Sequence, residues 1–169
     1  TFTTSLLRGF NDEDQLLIFT DDTGDEGGLA NEAIYLGGRD GLHLIVQNDT
    51  APPEGDGLFR DFALGAVNNS NLVAFAARLK DTTGGTSDDA GLYLGDSNGL
   101  YLVGREGSPS PIGPNWGTFR QPVLNDRGEM AILVTGSSAG IFVATTNSVA
   151  ARVPHGTPPP DGQGTLNLS

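Results

Sequence analysis

The side chains best placed to do chemistry are carboxylates crowded into two short stretches. Asp21, Asp22, Asp25 and Glu26 form one, and Asp81, Asp88 and Asp89 form the other. Carboxylates so close together repel unless a hard cation is shared between them, and Ca²⁺ with its flexible oxygen shell suits such a set. Asp21, Asp22, Asp25 and Glu26 are therefore the candidate calcium ligands, and no other cofactor is expected. Against this stands the reading of two solvated acidic loops. It is preferred, because neither stretch fits the EF-hand or the nonapeptide calcium pattern.

Other chemistry is weaker still. Gly136-Ser137-Ser138-Ala139-Gly140 matches the G-x-S-x-G pattern with Ser138 at the nucleophile position. That pattern acts only at a strand-to-helix turn with a His base in reach. Here it joins two apolar β runs, so a plain hairpin turn is the expectation. His43 and His155 each lack a second ligand at metal spacing; they read as a strand-surface residue and a linker residue. The absence of Cys excludes a disulfide framework, a thiolate zinc site and a cysteine nucleophile. Among 21 acidic residues some pair falls at a glycosidase separation by accident, but no local motif nominates one. The triplets Asn48-Asp49-Thr50, Asn68-Asn69-Ser70 and Asn167-Leu168-Ser169 fit the N-glycosylation pattern, as chance allows in a chain rich in Asn, Ser and Thr.

A chain of 169 residues suits one ordinary domain with its own core. Its formal charge of −12 argues against nucleic acid and anionic membrane partners, which both require positive potential. No apolar run approaches membrane-spanning length, and no basic start leads into an apolar segment. Thr1 in place of Met reads as a processed chain or a piece of something longer. Lys80 is the one lysine, while Asp, Thr, Ser, Asn and Gly dominate the polar positions. This composition points to an extracellular or cell-surface location.

The elements that must position these residues recur. Asn11, Asn68 and Asn125 are spaced 57 apart, each preceded by an apolar residue and followed by a polar turn and an apolar run. Those runs are Leu16–Phe19, Leu72–Ala77 and Met130–Val134. A second block recurs as Ala33–Gly37, Gly91–Gly95 and Gly140–Ala144, and a third as Gly41–Val46, Gly99–Gly104 and Ser148–Val153. Phe2, Phe59 and Trp116 stand nine residues before the three asparagines and read as packing anchors between copies. Pro-rich links close each copy. The expected organisation is therefore three repeats, 1–57, 58–114 and 115–165, with 166–169 as the start of a fourth or an edge-completing strand.

Each copy reads as four short antiparallel strands and almost no helix. Asn125-Asp126-Arg127-Gly128 reads as a tight hairpin connection, because Asn and Asp bond their own backbone and Gly accepts positive φ. The second strand is apolar throughout, which predicts burial on both faces. The fourth alternates Leu100 and Leu102 with Tyr101 and Arg105, which predicts one wet face. Tandem units of this kind are the mark of propeller blades; an open β-solenoid or fused sandwich array is the alternative. Closed propellers use about four to eight blades, so three invite pairing of two chains into a six-bladed ring, a longer array, or an open stack with exposed strand edges.

With its aromatic anchor, Asn-initiated turn, "VAFAAxL", "GLYLG", "GLYLVxREG" and Pro-containing link, the chain resembles bacterial secreted, surface-attached tandem β-repeat proteins. The resemblance covers the whole chain and is best in the second copy. Asp14 and Asn71 depart from it where the third copy has Gly128, and Thr145-Thr146-Asn147-Ser148 lacks both hairpin glycines. It implies an extracellular, propeller-like module, and it carries over no catalytic residue. The expected function is a non-enzymatic structural or adhesive element that associates with itself through strand edges into a ring or fibre. The alternatives are a carbohydrate- or Ca²⁺-dependent binding propeller using the acidic loops, with surface polysaccharide as partner, and, remotely, a glycoside hydrolase.

Overall fold

A computed structural model describes residues 4–21 and 32–168. The described chain is all-β, with one short 3-10 turn at Gly85–Ser87 and no α-helix. Three antiparallel sheets follow one another. The first contains β1 (Thr4–Phe10), β2 (Leu16–Asp21), β3 (Ala33–Gly38) and β4 (Gly41–Gln47). The second contains β5 (Leu58–Val67), β6 (Val73–Lys80), β7 (Ala90–Asp96) and β8 (Gly99–Arg105). The third contains β9 (Thr118–Phe119), β10 (Val123–Leu124), β11 (Met130–Thr135), β12 (Gly140–Thr145) and β13 (Ser148–Pro154). None closes into a barrel.

Strands pair in sequence order, except that β9 and β10 both pair with β11. One leading strand is expected here and a broken one is found. The break spans Arg120-Gln121-Pro122, where Pro122 has no N–H to give the ladder. The connections from β2, β6 and β11 to the strands that follow fall where the sequence places them.

The sheets meet face to face, not edge to edge, because successive side chains on a strand point to opposite faces. On β6, Val73, Phe75, Ala77 and Leu79 meet Leu17, Phe19, Ile34 and Val46 of the first sheet. The alternate residues Ala74 and Ala76 meet Met130, Ile132 and Val134 of the third. The second sheet is thus buried on both sides. Phe59 lies edge-on to Tyr93 at 5.0 Å in the first contact, and Trp116 packs on Phe142 at 4.8 Å in the second. Both are buried in the two cores; Phe2 lies outside the described residues.

The outermost strand departs from its expected alternation. Tyr101 and Leu102, on opposite faces, are both exposed, whereas Arg105 is buried. The end of β8 lies under two loops, and a strand-period argument does not see loops folding over a strand end.

Contact between the first two sheets is close at Gly65, where an added Cβ would come within 2.8 Å of the Phe19 ring and 2.9 Å of Leu17. Gly65→Val is expected to lower stability by about 1–3 kcal/mol through overpacking. A lowered urea midpoint with unchanged slope checks this.

Candidate functional site

The structure brings the second acidic stretch onto two arginines. Asp89 is buried and pairs with Arg78 at 2.8 Å. Asp88 accepts from the Thr82 hydroxyl and from the Gly84 N–H, and its carboxylate lies 3.7 Å from Arg105 Nη2. Asp81 is exposed at the start of the loop, in a left-handed conformation. In the first stretch Asp21 ends β2, its backbone opposite Thr4. Asp22, Asp25 and Glu26 lie outside the described residues. Among the described residues no three carboxylates or imidazoles are grouped to hold a metal ion.

Arg105 is the residue the sequence reading assigns to water and the structure buries. Its side chain is 8% exposed. Nε donates to the Asp88 carbonyl at 2.8 Å, and Nη1 to Glu54 Oε1 at 3.1 Å and the Asp56 carbonyl at 3.0 Å. Nη2 faces Asp56 Oδ2 at 3.0 Å. Glu54 Oε1 also accepts from the Tyr93 hydroxyl at 2.9 Å. One guanidinium thereby ties the link between the first two sheets to the β6–β7 loop and, through Glu54, to the aromatic core.

The local electrostatics follow from these contacts. Burial, and then the Glu54 carboxylate, push the Tyr93 phenol far above its ordinary range, so it stays a donor. Hydrogen bonds from the Thr83 hydroxyl and main chain, helped by Arg105, hold Asp56 below its usual 3.8. Burial, and then Asp89, raise Glu106 above 4.5. Asp56, Asp88, Arg105 and Glu106 line a shallow cavity of about 330 Å³. With Nε and Nη1 bonded to two carbonyls and Glu54, Arg105 acts as a structural pin. A second, more apolar cavity of about 290 Å³ lies between the second and third sheets, with Arg78 and Glu106 in its wall.

Ser138 is fully buried in the β11–β12 turn, where its hydroxyl accepts from the Gly117 N–H at 3.1 Å. It joins two strands as a turn residue, with no strand-to-helix elbow. His43 is exposed on β4. His155 follows β13, and its Nδ1 accepts from the Leu168 N–H at 3.2 Å.

A set of polar groups that joins one sheet to the next lies in the turns after β1, β5 and β10. Asn11 Oδ1 accepts from the N–H groups of Glu13 and Gln15, Asn68 Oδ1 from Ser70 and Leu72, and Asn125 Oδ1 from Arg127 and Glu129. Asp14, Asn71 and Gly128 share a positive φ of 60°, 66° and 76° in these turns. Asp14 and Asn71 thus keep the turn where the glycine is missing. The carboxamide nitrogens reach onward: Asn11 Nδ2 donates to the Asn68 carbonyl at 2.8 Å, and Asn68 Nδ2 to the Asn125 carbonyl at 2.9 Å. Beside them the Asp12 N–H donates to Asn69 Oδ1 at 2.8 Å and the Asn69 N–H to Asp126 Oδ1 at 3.0 Å. Asn69 Nδ2 bridges the carboxylates of Asp12 and Asp126. The spacing of the asparagines is legible in the sequence; this ladder between sheets is not.

The model of a family of unknown function, DUF7453, matches residues 1–166. The chain belongs to that family. No curated protein and no solved structure matches it. In this DUF7453 member the two polar constellations described, the Arg105 pin and the asparagine ladder, both hold backbone segments together.

Removing one partner of a buried ion pair strands the other, so Arg105→Met is expected to cost about 3 kcal/mol in urea unfolding. Arg105→Met with Glu54→Gln recovers part of that loss, since Gln keeps an acceptor for Tyr93. The two shifted carboxyls have opposite pH signatures. Asp56 stabilises the fold above 3.8, and this is lost as pH falls through its depressed folded value. The raised Glu106 costs stability at neutral pH, and that cost disappears as pH falls below 4.5. Glu106→Gln should therefore raise the melting temperature at neutral pH and leave it unchanged in acid, and Asp56→Asn should lower it at neutral pH alone.

Proposed function

We propose that this chain is a non-enzymatic, extracellular structural or adhesive module. In this reading the three sheets are three copies of one four-stranded unit stacked like propeller blades, and the module works by associating with further copies. The observation that carries it is the asparagine ladder. The asparagines that recur every 57 positions each close a turn, and Asn11 and Asn68 also bond theirs to the next sheet. The recurrent aromatic positions Phe59 and Trp116 have packing roles, so the shared positions need no catalytic explanation.

A second support comes from the last residues. The Asp49 N–H donates to the Phe59 carbonyl at 2.8 Å, and the Phe59 N–H to the Thr50 carbonyl at 2.9 Å. Gly156, Leu166 and Thr157 repeat that pair of bonds at 3.0 and 2.9 Å. Leu166 thus takes the register of the aromatic that opens each unit.

Sedimentation velocity across a concentration series tests the reading. A discrete dimer or a growing series is the expected result, unchanged by EDTA, and a monomer at every concentration overturns the assembly reading. A melting temperature lowered by chelator would instead favour the cation-dependent binding reading, with Asp21, Asp22, Asp25 and Glu26 as its ligands.

A further inference from the structure

We infer that a second copy of this chain docks its first sheet onto the outward face of the third sheet, head to tail, through the contact that already joins the sheets within the chain. The inference rests on the assembling role proposed above and names its surfaces.

That contact occurs twice inside the molecule, and both of its halves are left open at the ends. On the outward face of the first sheet Phe10 and Leu42 are each 62% exposed, beside a groove of about 400 Å³ lined by Leu16 and Ile18. Each has a counterpart that is covered inside the stack. Phe10 is in the register of Val67 and Leu124, which pack into the two inter-sheet cores. Leu16 is in the register of Val73 and Met130, both fully buried, and Leu42 is in that of Leu100. On the outward face of the third sheet Val123 is 58% exposed over a groove of about 160 Å³ that includes Ala131 and Val143.

The geometry also fixes the register. A Cβ on Gly9 would lie 3.1 Å from Val67 Cγ1 in the next sheet. Val123 stands 57 residues after Ala66 and twice that after Gly9, so it faces Phe10 of the incoming copy. The ladder has a matching loose end. Asn68 is 3% exposed and gives its Nδ2 to the next sheet, whereas Asn125 is exposed and turns its Nδ2 back onto Glu129 at 2.8 Å. In the docked pair that group is released to the Asn11 carbonyl of the second copy. The contact joins two different patches, so it is heterologous and yields a ring where the rotation closes or a filament where it does not. Two copies supply six sheets, within the range of closed propellers.

One element opposes docking. Inside the chain Asn69 stands between Asp12 and Asp126. Between copies Asp126 meets Asp12 directly, two like charges that salt screens. Association is therefore expected to strengthen with ionic strength. Asp12→Asn removes that like-charge contact and should tighten association about tenfold.

The decisive experiment uses Phe10→Asp, which spoils the first-sheet face, and Val123→Asp, which spoils the third-sheet face; both positions are exposed. In sedimentation velocity each variant alone is expected to remain monomeric, and an equimolar mixture to form a one-interface dimer. Wild-type association that persists in both variants overturns the inference and leaves the assembling role standing, as does a mixture that stays monomeric. A wild-type chain that never associates overturns both. Should either variant fail to give the wild-type circular dichroism spectrum, Phe10→Ser and Val123→Ser replace them, with the same outcomes.

Discussion

A buried asparagine carboxamide has two ends to satisfy, and the architecture depends on how Asn11 and Asn68 do so. The oxygen closes its own turn by accepting two backbone N–H groups, as an Asx turn does. The nitrogen cannot stay unpaired in a nearly water-free position, and the carbonyl of the next turn is its partner. One side chain type therefore fixes a local hairpin and the spacing of neighbouring sheets together. The apolar faces supply most of the favourable energy, but burial is non-directional. The ladder gives it a register.

The Arg105 cluster does for the opposite end what the ladder does for the turns. The ladder staples consecutive sheets at the turns after β1, β5 and β10, whereas Arg105 fastens the Pro-rich link and the β6–β7 loop to the second sheet. Buried ion clusters recover their desolvation cost only with good geometry, so their value lies as much in specifying one arrangement as in stability. Here the specified arrangement is the path of the chain between two sheets.

What the sequence made legible was whatever depends on neighbours along the chain. The strand runs, the loop lengths after β2, β6 and β11, the turn chemistry at Asn125–Gly128 and the anchor role of Phe59 and Trp116 follow from spacing and residue type. What depends on distant segments was hidden. Arg105 reads as a wet strand residue because its partners Glu54 and Asp56 come from a link some fifty residues earlier. A scarce basic residue in so acidic a chain was the available signal. Asp88 and Asp89 read as carboxylates of a solvated acidic loop because the arginines that face them lie elsewhere in the sheet. Open strand edges are legible in the strand pattern, whereas the exposure of Phe10, Leu42 and Val123 on the outer faces shows only once the strands are assigned to faces.

The Asn68 carboxamide couples the second sheet to the third, and Asn68→Asp isolates that coupling. The substitution keeps the oxygen that accepts from Ser70 and Leu72 and replaces the donor to the Asn125 carbonyl with a second acceptor. Unfolding followed by urea at neutral pH should show a loss of about 3 kcal/mol. The loss should shrink in acid, where the carboxyl regains a proton to donate. Stability equal to that of the unaltered chain at neutral pH would confine Asn68 to its own turn and contradict the account.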